Sequence, residues 1–320
     1  MKKKSFGLLM IAAVLAGTAG CAPKKENQTF TVGICQFTQH EALDAAAQGF
    51  KDALTEKLDD RVAFEEQNAN GDFAACTTAV GEMISNGVDL ILADSTIALQ
   101  VAALSETEIP ILGTAVTDYA VALQLEDFDG TVGENISGTS DQVPADKQAA
   151  LIQELFPEAR KVGLVYCASE ANSQYQADAM QHALDDLEYA CEAYLFADSN
   201  DLTYMADKAA AECDVIYVPT DNTIAASAGL IANVCIPAKV PVIAGEESTC
   251  RTCGAATLSV DYYELGYTTG EMAAEILAEG RDISEMPVQY ASSFTKKYNE
   301  EICEELGITV PDDYVSLKGK

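Results

Sequence analysis

Short apolar runs alternate with longer amphipathic segments along almost the whole chain. Short apolar runs bounded by polar turns are typical of buried parallel strands, and apolar residues that recur every three or four positions indicate helices. The predicted strands are residues 30–35, 62–66, 90–93, 109–113, 162–166, 191–195, 215–218 and 240–244. The clearest predicted helices are residues 42–58, 73–85, 144–156, 173–187, 202–212 and 263–278. This alternation predicts an α/β protein with doubly wound parallel sheets.

Part of this pattern occurs twice, in the order strand, polar turn, helix and proline-led strand. The paired segments are 88–93 with 213–218, Thr96-Ile97-Ala98 with Thr223-Ile224-Ala225, and 109–113 with 240–244. The preserved order predicts two similar α/β lobes, although generic βα units also resemble one another by chance. Residues after Asp261 have no counterpart in the first half, so we expect the chain to cross between the lobes more than once.

The length of 320 residues and the 48% hydrophobic content are sufficient for two separate cores. In doubly wound proteins the ligand binds outside the carboxyl ends of the strands. With two lobes facing each other, the sequence therefore predicts a binding cleft between them.

The N-terminus is typical of an exported protein, because Lys2, Lys3 and Lys4 precede an apolar run that ends near Thr18-Ala19-Gly20-Cys21. We predict a signal peptide over residues 1–20 and, over residues 21–28, a lipidated Cys21 with a polar tether. Thr18 stands where a lipobox usually has Leu, so simple cleavage to a free secreted protein is the alternative. The predicted location is extracytoplasmic, with the lipid as the membrane anchor.

Charge and cysteine content exclude several functions. The formal net charge of -32 disfavours binding to nucleic acid or to anionic lipid surfaces. The ten cysteines are scattered, and Cys250 and Cys253 have no second pair and only two histidines in the chain to accompany them. We therefore expect no metal and no cofactor. An enzyme that uses Cys250, Cys253 or a strand-end aspartate is a weaker alternative, since no nucleophile or phosphate-binding motif is present.

Polar residues follow the predicted strands where a cleft is expected. Ser95 and Thr96 precede a helix, whose free N–H groups suit a carboxylate. The repeat places Thr220, Asp221 and Asn222 at the equivalent position, and the remaining candidates are Asp118, Ser140, Asp141 and Asn172. Ordinary helix capping explains many of these residues equally well.

These stretches resemble the ABC-transporter substrate-binding family that includes tryptophan- and tyrosine-type binding lipoproteins, within the periplasmic-binding-protein type I fold. The resemblance covers about 32–306 and is carried by Gln36 with His40-Glu41-Ala42-Leu43-Asp44, Gln67-Asn68-Ala69-Asn70-Gly71-Asp72, Gly113-Thr114-Ala115-Val116-Thr117-Asp118, Glu170-Ala171-Asn172-Ser173, Val218-Pro219-Thr220-Asp221-Asn222 and Val260-Asp261-Tyr262-Tyr263-Glu264-Leu265-Gly266. It implies two lobes joined by a three-segment hinge, with lobe I at 29–138 plus 262–286 and lobe II at 139–261 plus 287–320.

The resemblance also implies roles for the strand-end residues. Ser95 and Thr96 would bind a ligand carboxylate, and Asp141 or Asp221 would bind its amine. Phe37 or Tyr119, which replace aliphatic and proline residues of the family pattern, would stack on its side chain. Further contacts would come from Gln36, Asp118, Ser140, Asn172, Thr220 and Asn222.

The implied function is capture of an aromatic amino acid by hinge closure and its transfer to an ABC permease and ATPase, without catalysis. The alternatives are a branched-chain amino acid, a nucleoside or a sugar as the ligand, or service as a sensory subunit. The expected partners are the small-molecule ligand and the transporter subunits, and the expected state is a monomer.

Overall fold

The computed structural model describes residues 28–317. The predicted signal peptide and the predicted lipidation site at Cys21 lie outside the described residues. No helix within residues 28–317 is both long enough and apolar enough to cross a membrane.

The strands, in chain order, are β1 (Phe30–Gln36), β2 (Val62–Asn68), β3 (Leu90–Asp94), β4 (Ile111–Val116), β5 (Ile136–Ser140), β6 (Lys161–Cys167), β7 (Ala190–Phe196), β8 (Val215–Val218), β9 (Val242–Ala244), β10 (Ala256–Ser259), β11 (Gln289–Tyr290), β12 (Thr295–Tyr298) and β13 (Val315–Ser316). The helices are α1 (Glu41–Leu58), α2 (Phe73–Asn86), α3 (Thr96–Ala103), α4 (Tyr119–Leu123), α5 (Ala145–Leu155), α6 (Ala171–Asp186), α7 (Ser199–Glu212), α8 (Asn222–Ala225), α9 (Ala228–Ala238), α10 (Glu247–Cys253), α11 (Tyr262–Ala274) and α12 (Glu300–Leu306). All eight predicted strands are present.

The strands form two sheets. The first has the order β11-β5-β4-β3-β1-β2 and is parallel throughout. The second has the order β13-β12-β10-β9-β8-β6-β7, and its one antiparallel pair is β10 with β12. These two parallel-dominant sheets confirm the predicted α/β fold class.

The central strands of each sheet are buried on both faces, as their continuous apolar runs require. In β3, Ile91 and Ala93 join one hydrophobic cluster, while Leu90 and Leu92 join another on the opposite face. The second sheet likewise separates two clusters. The polar strand ends are therefore the part of each sheet that is free to form a site.

The chain crosses between the sheets three times, at residues 141–144, 260–261 and 291–294. Side chains from all three crossings, Val143, Val260 and Phe294, belong to one hydrophobic cluster together with the start of α1. The three crossings are thus packed side by side.

The third crossing lies later in the chain than predicted. Gln289 and Tyr290 pair with β5 in the first sheet, whereas the predicted boundary falls after residue 286. Both residues of this strand are exposed, so no apolar run marks it in the sequence.

Helices α1 and α11 pack with their backbones in direct contact. A Cβ atom at Gly266 would overlap the carbonyl oxygen of Ala46, and a Cβ atom at Gly49 would overlap that of Tyr263. Glycine at these positions lets the two helices approach more closely than any side chain would permit. Because α11 follows the second crossing, this contact holds the returning chain on the first lobe.

Asp94 ends β3 as a fully buried acid. Neither of its carboxylate oxygens has a hydrogen-bond partner among residues 28–317. Burial raises the pKa of Asp94 well above its ordinary value, the nearby Gln36 side chain lowers this pKa in part, and the charge of Asp44 raises it further.

We predict that Gly266→Ala destabilises the protein by about 3 kcal/mol, because the new methyl group meets backbone that cannot move aside. Gly81→Ala is the matched control, since Gly81 lies within α2 and nothing lies within 4 Å of its added Cβ. The control should stabilise by about 1 kcal/mol through helix propensity. Denaturant unfolding of both variants measures the difference, and equal effects would contradict the close contact.

We predict that Asp94→Asn is more stable than the wild type at neutral pH and that its advantage grows as pH rises. An unfolded chain ionises aspartate near pH 4, whereas the native state keeps this proton to higher pH. The native state then binds more protons, so wild-type stability falls with rising pH above about 4. Thermal unfolding of both proteins from pH 5 to 8 tests this, and a constant difference would exclude a buried proton at Asp94.

Candidate ligand-binding site

The carboxyl ends of the strands in the two sheets face each other. His40, which precedes α1 after β1, places its Nε2 atom 3.2 Å from Oδ1 of Asn222, which follows β8 in the second sheet. Arg251 of α10 pairs with Glu41 of α1 at 3.4 Å across the same boundary. Polar groups from both lobes therefore meet in the predicted region.

The fully buried charged side chains of residues 28–317 are all acids: Asp94, Asp141, Glu170, Asp221 and Glu246. Burying an ionised acid is costly unless hydrogen bonds or an opposite charge compensate it. Asp94 lies near Gln36 and Asp44 of the first lobe. For the other four acids, their hydrogen-bond partners indicate which one is available to a ligand between the lobes.

Asp141, in the first crossing, is the acid with a free oxygen at the boundary between the lobes. The hydroxyl of Tyr262 donates to its Oδ2 atom at 2.7 Å, while Oδ1 is buried without a partner in the described part of the chain. Burial raises the pKa of Asp141 above its ordinary value, and the nearby hydroxyls of Tyr262 and Thr117 offset part of this increase. An ammonium group would satisfy this oxygen and compensate the charge.

Asp221 is occupied by the backbone of its own lobe. Its Oδ1 atom accepts from the N–H of Ile224 at 2.9 Å and caps α8, while Oδ2 accepts from the N–H of Cys167 at 2.7 Å. The geometry therefore favours Asp141 over Asp221 as the partner of an amine.

Glu246 is likewise occupied, because it caps α10 through the N–H groups of Ser248 and Thr249. Glu170 accepts from Asn222 and Thr223 at the start of α8. These two acids hold the helix starts that border the site.

Asn172 and Asn222 present oxygen atoms rather than N–H groups. The Nδ2 atom of Asn172 donates to the carbonyl oxygen of Thr220 at 2.9 Å, and its Oδ1 is buried with no partner within residues 28–317. The Nδ2 atom of Asn222 donates to Glu170 at 2.8 Å, which leaves its Oδ1 facing His40.

Ser95 and Thr96 lie at the start of α3 and are buried. Ser95 caps this helix by accepting from the N–H of Ala98 at 3.3 Å, and its φ of 119° is a conformation that non-glycine residues rarely adopt. Thr96 Oγ1 accepts from the N–H of Thr117 at 3.4 Å. The hydroxyl of Thr96 can still donate its proton to a ligand.

Capping and turn roles account for two of the other predicted residues. Asp118 caps α4 through the N–H of Val121 at 2.9 Å, and its other oxygen lies 3.5 Å from the amide of Gln142. The hydroxyl of Ser140 donates to the carbonyl oxygen of Thr117 at 2.7 Å.

The two predicted stacking residues belong to the same hydrophobic cluster of the first lobe. Phe37, which directly follows β1, keeps 6% of its surface exposed. Tyr119 is 1% exposed, and its hydroxyl lies 3.0 Å from the carbonyl oxygen of Gly113 and 3.2 Å from that of Thr139. Tyr119 is thereby committed to the core of the first lobe, which contradicts the stacking role predicted for it.

Gln36 faces away from the second lobe. Its amide donates to Asp44 at 3.0 Å and accepts from Asn68 at 2.5 Å. With Lys51 and Glu66 it lines a separate cavity of about 400 Å³ beside β2. Strand alternation explains this placement, because Gln36 shares the α1 face of the sheet with Ile34.

A cavity of about 530 Å³ lies between α1, α10 and the second crossing. Its volume falls in the usual range for small-molecule sites. None of the twelve predicted ligand-binding residues lines it, but Tyr262 does, and Tyr262 also contacts Asp141. The cavity therefore adjoins the buried polar groups through this tyrosine.

The predicted ligand-binding residues do not include Glu170, Glu246 or Tyr262, although residues 169–172 are a candidate cap or ligand contact in the sequence. Glu246 could have been found from the repeat, because it caps the helix after the second proline-led strand as Asp118 does after the first. Glu170 resembles any turn acid in sequence, and Tyr262 fits the apolar pattern of α11.

Cys250 and Cys253 are buried free thiols. Burial raises the pKa of the Cys250 thiol well above its ordinary value, which opposes formation of a reactive thiolate. The described residues contain no group of three or more histidines, cysteines or acids that could hold a metal ion.

The family model described as ABC transporter substrate binding protein matches residues 31–319. A curated relative, the "Tyrosine-binding protein" of Clostridioides difficile (strain R20291), is 33% identical over 305 residues, covering 90% of this chain and 88% of the relative. Since the family binds substrates, the prediction of a binding protein rather than an enzyme is confirmed.

Two solved structures share the fold along most of the chain. The ABC domain from Streptococcus pneumonia in complex with L-Trp has a TM-score of 0.85 at 29% identity, covering 89% of this chain and 97% of that one. The ligand-free, open structure of a substrate binding protein with adhesive properties from Clostridium difficile has a TM-score of 0.70 at 34% identity, covering 91% and 100%. The chain belongs to the ABC transporter substrate binding protein family, with the periplasmic-binding-protein type I fold.

Proposed function

We propose that this protein is the extracytoplasmic lipoprotein of an ABC importer and that it binds an aromatic amino acid between its lobes by hinge closure. The observation that carries the proposal is the set of buried oxygen acceptors on Asp141, Asn172 and Asn222, with no buried lysine or arginine among residues 28–317. Such a set is complementary to the ammonium group of an amino acid.

The ligand carboxylate would bind at Ser95 and Thr96. The first N–H groups of α3 and the Thr96 hydroxyl supply donors there, and the helix dipole favours negative charge at this end. A neutral donor set suits a zwitterion, because its carboxylate lies near its own ammonium group.

Two relatives support an aromatic side chain. One is named a tyrosine-binding protein, and the other was solved with L-Trp. Phe37, which directly follows β1 and is less completely buried than Tyr119, is the aromatic residue that we propose to contact the ligand.

Hinge closure is supported by a comparison of the two solved relatives. The chain is more similar in shape to the L-Trp complex than to the open structure, although the open structure has the higher sequence identity. The pair between Arg251 and Glu41 and the contact between His40 and Asn222 join the lobes. Three packed crossings would form the hinge.

We predict that L-tryptophan, L-tyrosine or L-phenylalanine binds the soluble protein that begins at Ala22. The chain contains no tryptophan, so L-tryptophan fluorescence reports binding directly. At about 1,000 times its Kd, the ligand should stabilise the protein by about 4 kcal/mol, measured as a thermal shift. Stabilisation by a sugar or nucleoside alone would contradict the proposed ligand.

We predict that Asp141→Asn weakens amino-acid binding about 100-fold, because a charge-assisted hydrogen bond to the ammonium group is lost. Asp146→Asn, in the first turn of α5, is the matched control and should bind normally. Titration calorimetry and thermal unfolding separate the effects on binding and on stability. Unchanged affinity in Asp141→Asn would exclude Asp141 as the amine partner.

We predict that Cys21→Ala releases the expressed full-length protein from the membrane fraction and abolishes incorporation of a labelled fatty acid. Cys191→Ala, a half-buried cysteine of β7, should stay membrane-bound and labelled. Fractionation with fatty-acid labelling measures both. Continued labelling of the Cys21 variant would contradict the lipid anchor.

A further inference from the structure

Glu170 lies in the turn between β6 and α6 and is 1% exposed. Its Oε2 atom accepts from the backbone N–H of Asn222 at 3.0 Å and from its side-chain amide at 2.8 Å, and from the amide of Asn172 at 3.3 Å. Its Oε1 atom accepts from the N–H and hydroxyl of Thr223, both at 2.8 Å. Every contact of this carboxylate is with a donor.

This environment fixes the orientation of the Asn222 amide. A carboxylate only accepts hydrogen bonds, so the NH₂ of Asn222 must face Glu170. Its carbonyl oxygen then points across the lobe boundary to His40. A rotated amide would set its oxygen against Glu170 and leave two buried acceptors facing each other without a donor.

Asn172 has the same polarity. Its NH₂ faces Glu170 and the carbonyl oxygen of Thr220, and its own oxygen is buried without a partner among residues 28–317. Both asparagines thus present oxygen rather than N–H. The Asn222 oxygen lies 3.2 Å from His40 Nε2, and its second lone pair remains for a ligand.

We infer that Glu170 is a positioning residue that makes the site selective for a protonated amine over a hydroxyl group. Glu170 holds the NH₂ of Asn222, and Glu170 and Thr220 together hold the NH₂ of Asn172. Both side chains therefore present their oxygen atoms as acceptors. The inference rests on the proposed function, because it concerns how the amino acid's ammonium group is distinguished.

A purely structural role predicts something different. Glu170 also accepts from the first N–H groups of α8, so its loss would lower stability and weaken every ligand by the same factor. The ratio of the affinities for an amino acid and for the hydroxy acid with the same side chain distinguishes a positioning role from a purely structural one.

The test measures Kd by calorimetry for L-tryptophan, L-tyrosine and L-phenylalanine and for the 2-hydroxy acid with each side chain. In Glu170→Gln one of the two acceptor oxygens becomes an NH₂, so residue 170 can no longer accept from every donor around it, including the backbone N–H of Asn222. An Asn222 amide that rotates to accept from this NH₂ then presents its N–H groups to the ligand. A hydroxyl accepts from such a group and an ammonium does not. The preference for the amino acid should fall by roughly tenfold or more.

The exchange Glu170→Gln with Asn222→Asp is the matched rescue. The introduced glutamine would donate to the introduced aspartate and the total charge is kept, while the aspartate can present only acceptors to the ligand. This double variant should recover the wild-type preference. It also serves as the test if the single variant does not fold.

The outcomes are distinct. If Glu170→Gln weakens amino acid and hydroxy acid equally, or if the folded exchange variant does not recover the preference, the inference is overturned and the proposed function stands. If the wild type binds none of the three amino acids, the proposed function fails and the inference fails with it.

Discussion

The backbone contact between α1 and α11 is the constraint on which the arrangement of the two lobes depends. Gly49 and Gly266 let α11 lie directly on α1 after the chain has left the second sheet. That contact fixes the start of α11, where Tyr262 reaches Asp141, and the start of α1, where His40 reaches Asn222. Packing within the first lobe thereby sets the position of groups that meet the second lobe.

Acid placement determines what the site can bind. An acid bound by backbone N–H groups stabilises a helix start, and Asp221 and Glu246 do this. An acid with a free buried oxygen favours a cation, and Asp141 is in this position at the lobe boundary. Three acids of the same formal charge therefore serve two different purposes, and only their hydrogen-bond partners reveal which.

The fold was more predictable than the site for a physical reason. Continuous apolar strands indicate burial on both faces of a sheet, and the repeated βα order indicates two similar units. These two sequence features were sufficient to predict the two sheets. Side-chain direction at a strand end depends on the local register, so Gln36 and Tyr119 were predicted to contact a ligand but point into one lobe. The role of Glu170 depends on partners about 50 residues away in sequence, such as Asn222, which no local pattern can show.

The cluster that joins the three crossings has a mechanical consequence. Each crossing is short and has both ends fixed in packed elements, and Val143, Val260 and Phe294 hold the three together. A sliding or twisting displacement of one lobe would have to stretch at least one of these connections. Rotation about a line through the cluster stretches none of these connections. Hinge rotation is therefore the one movement of the lobes that the three crossings permit at low energetic cost.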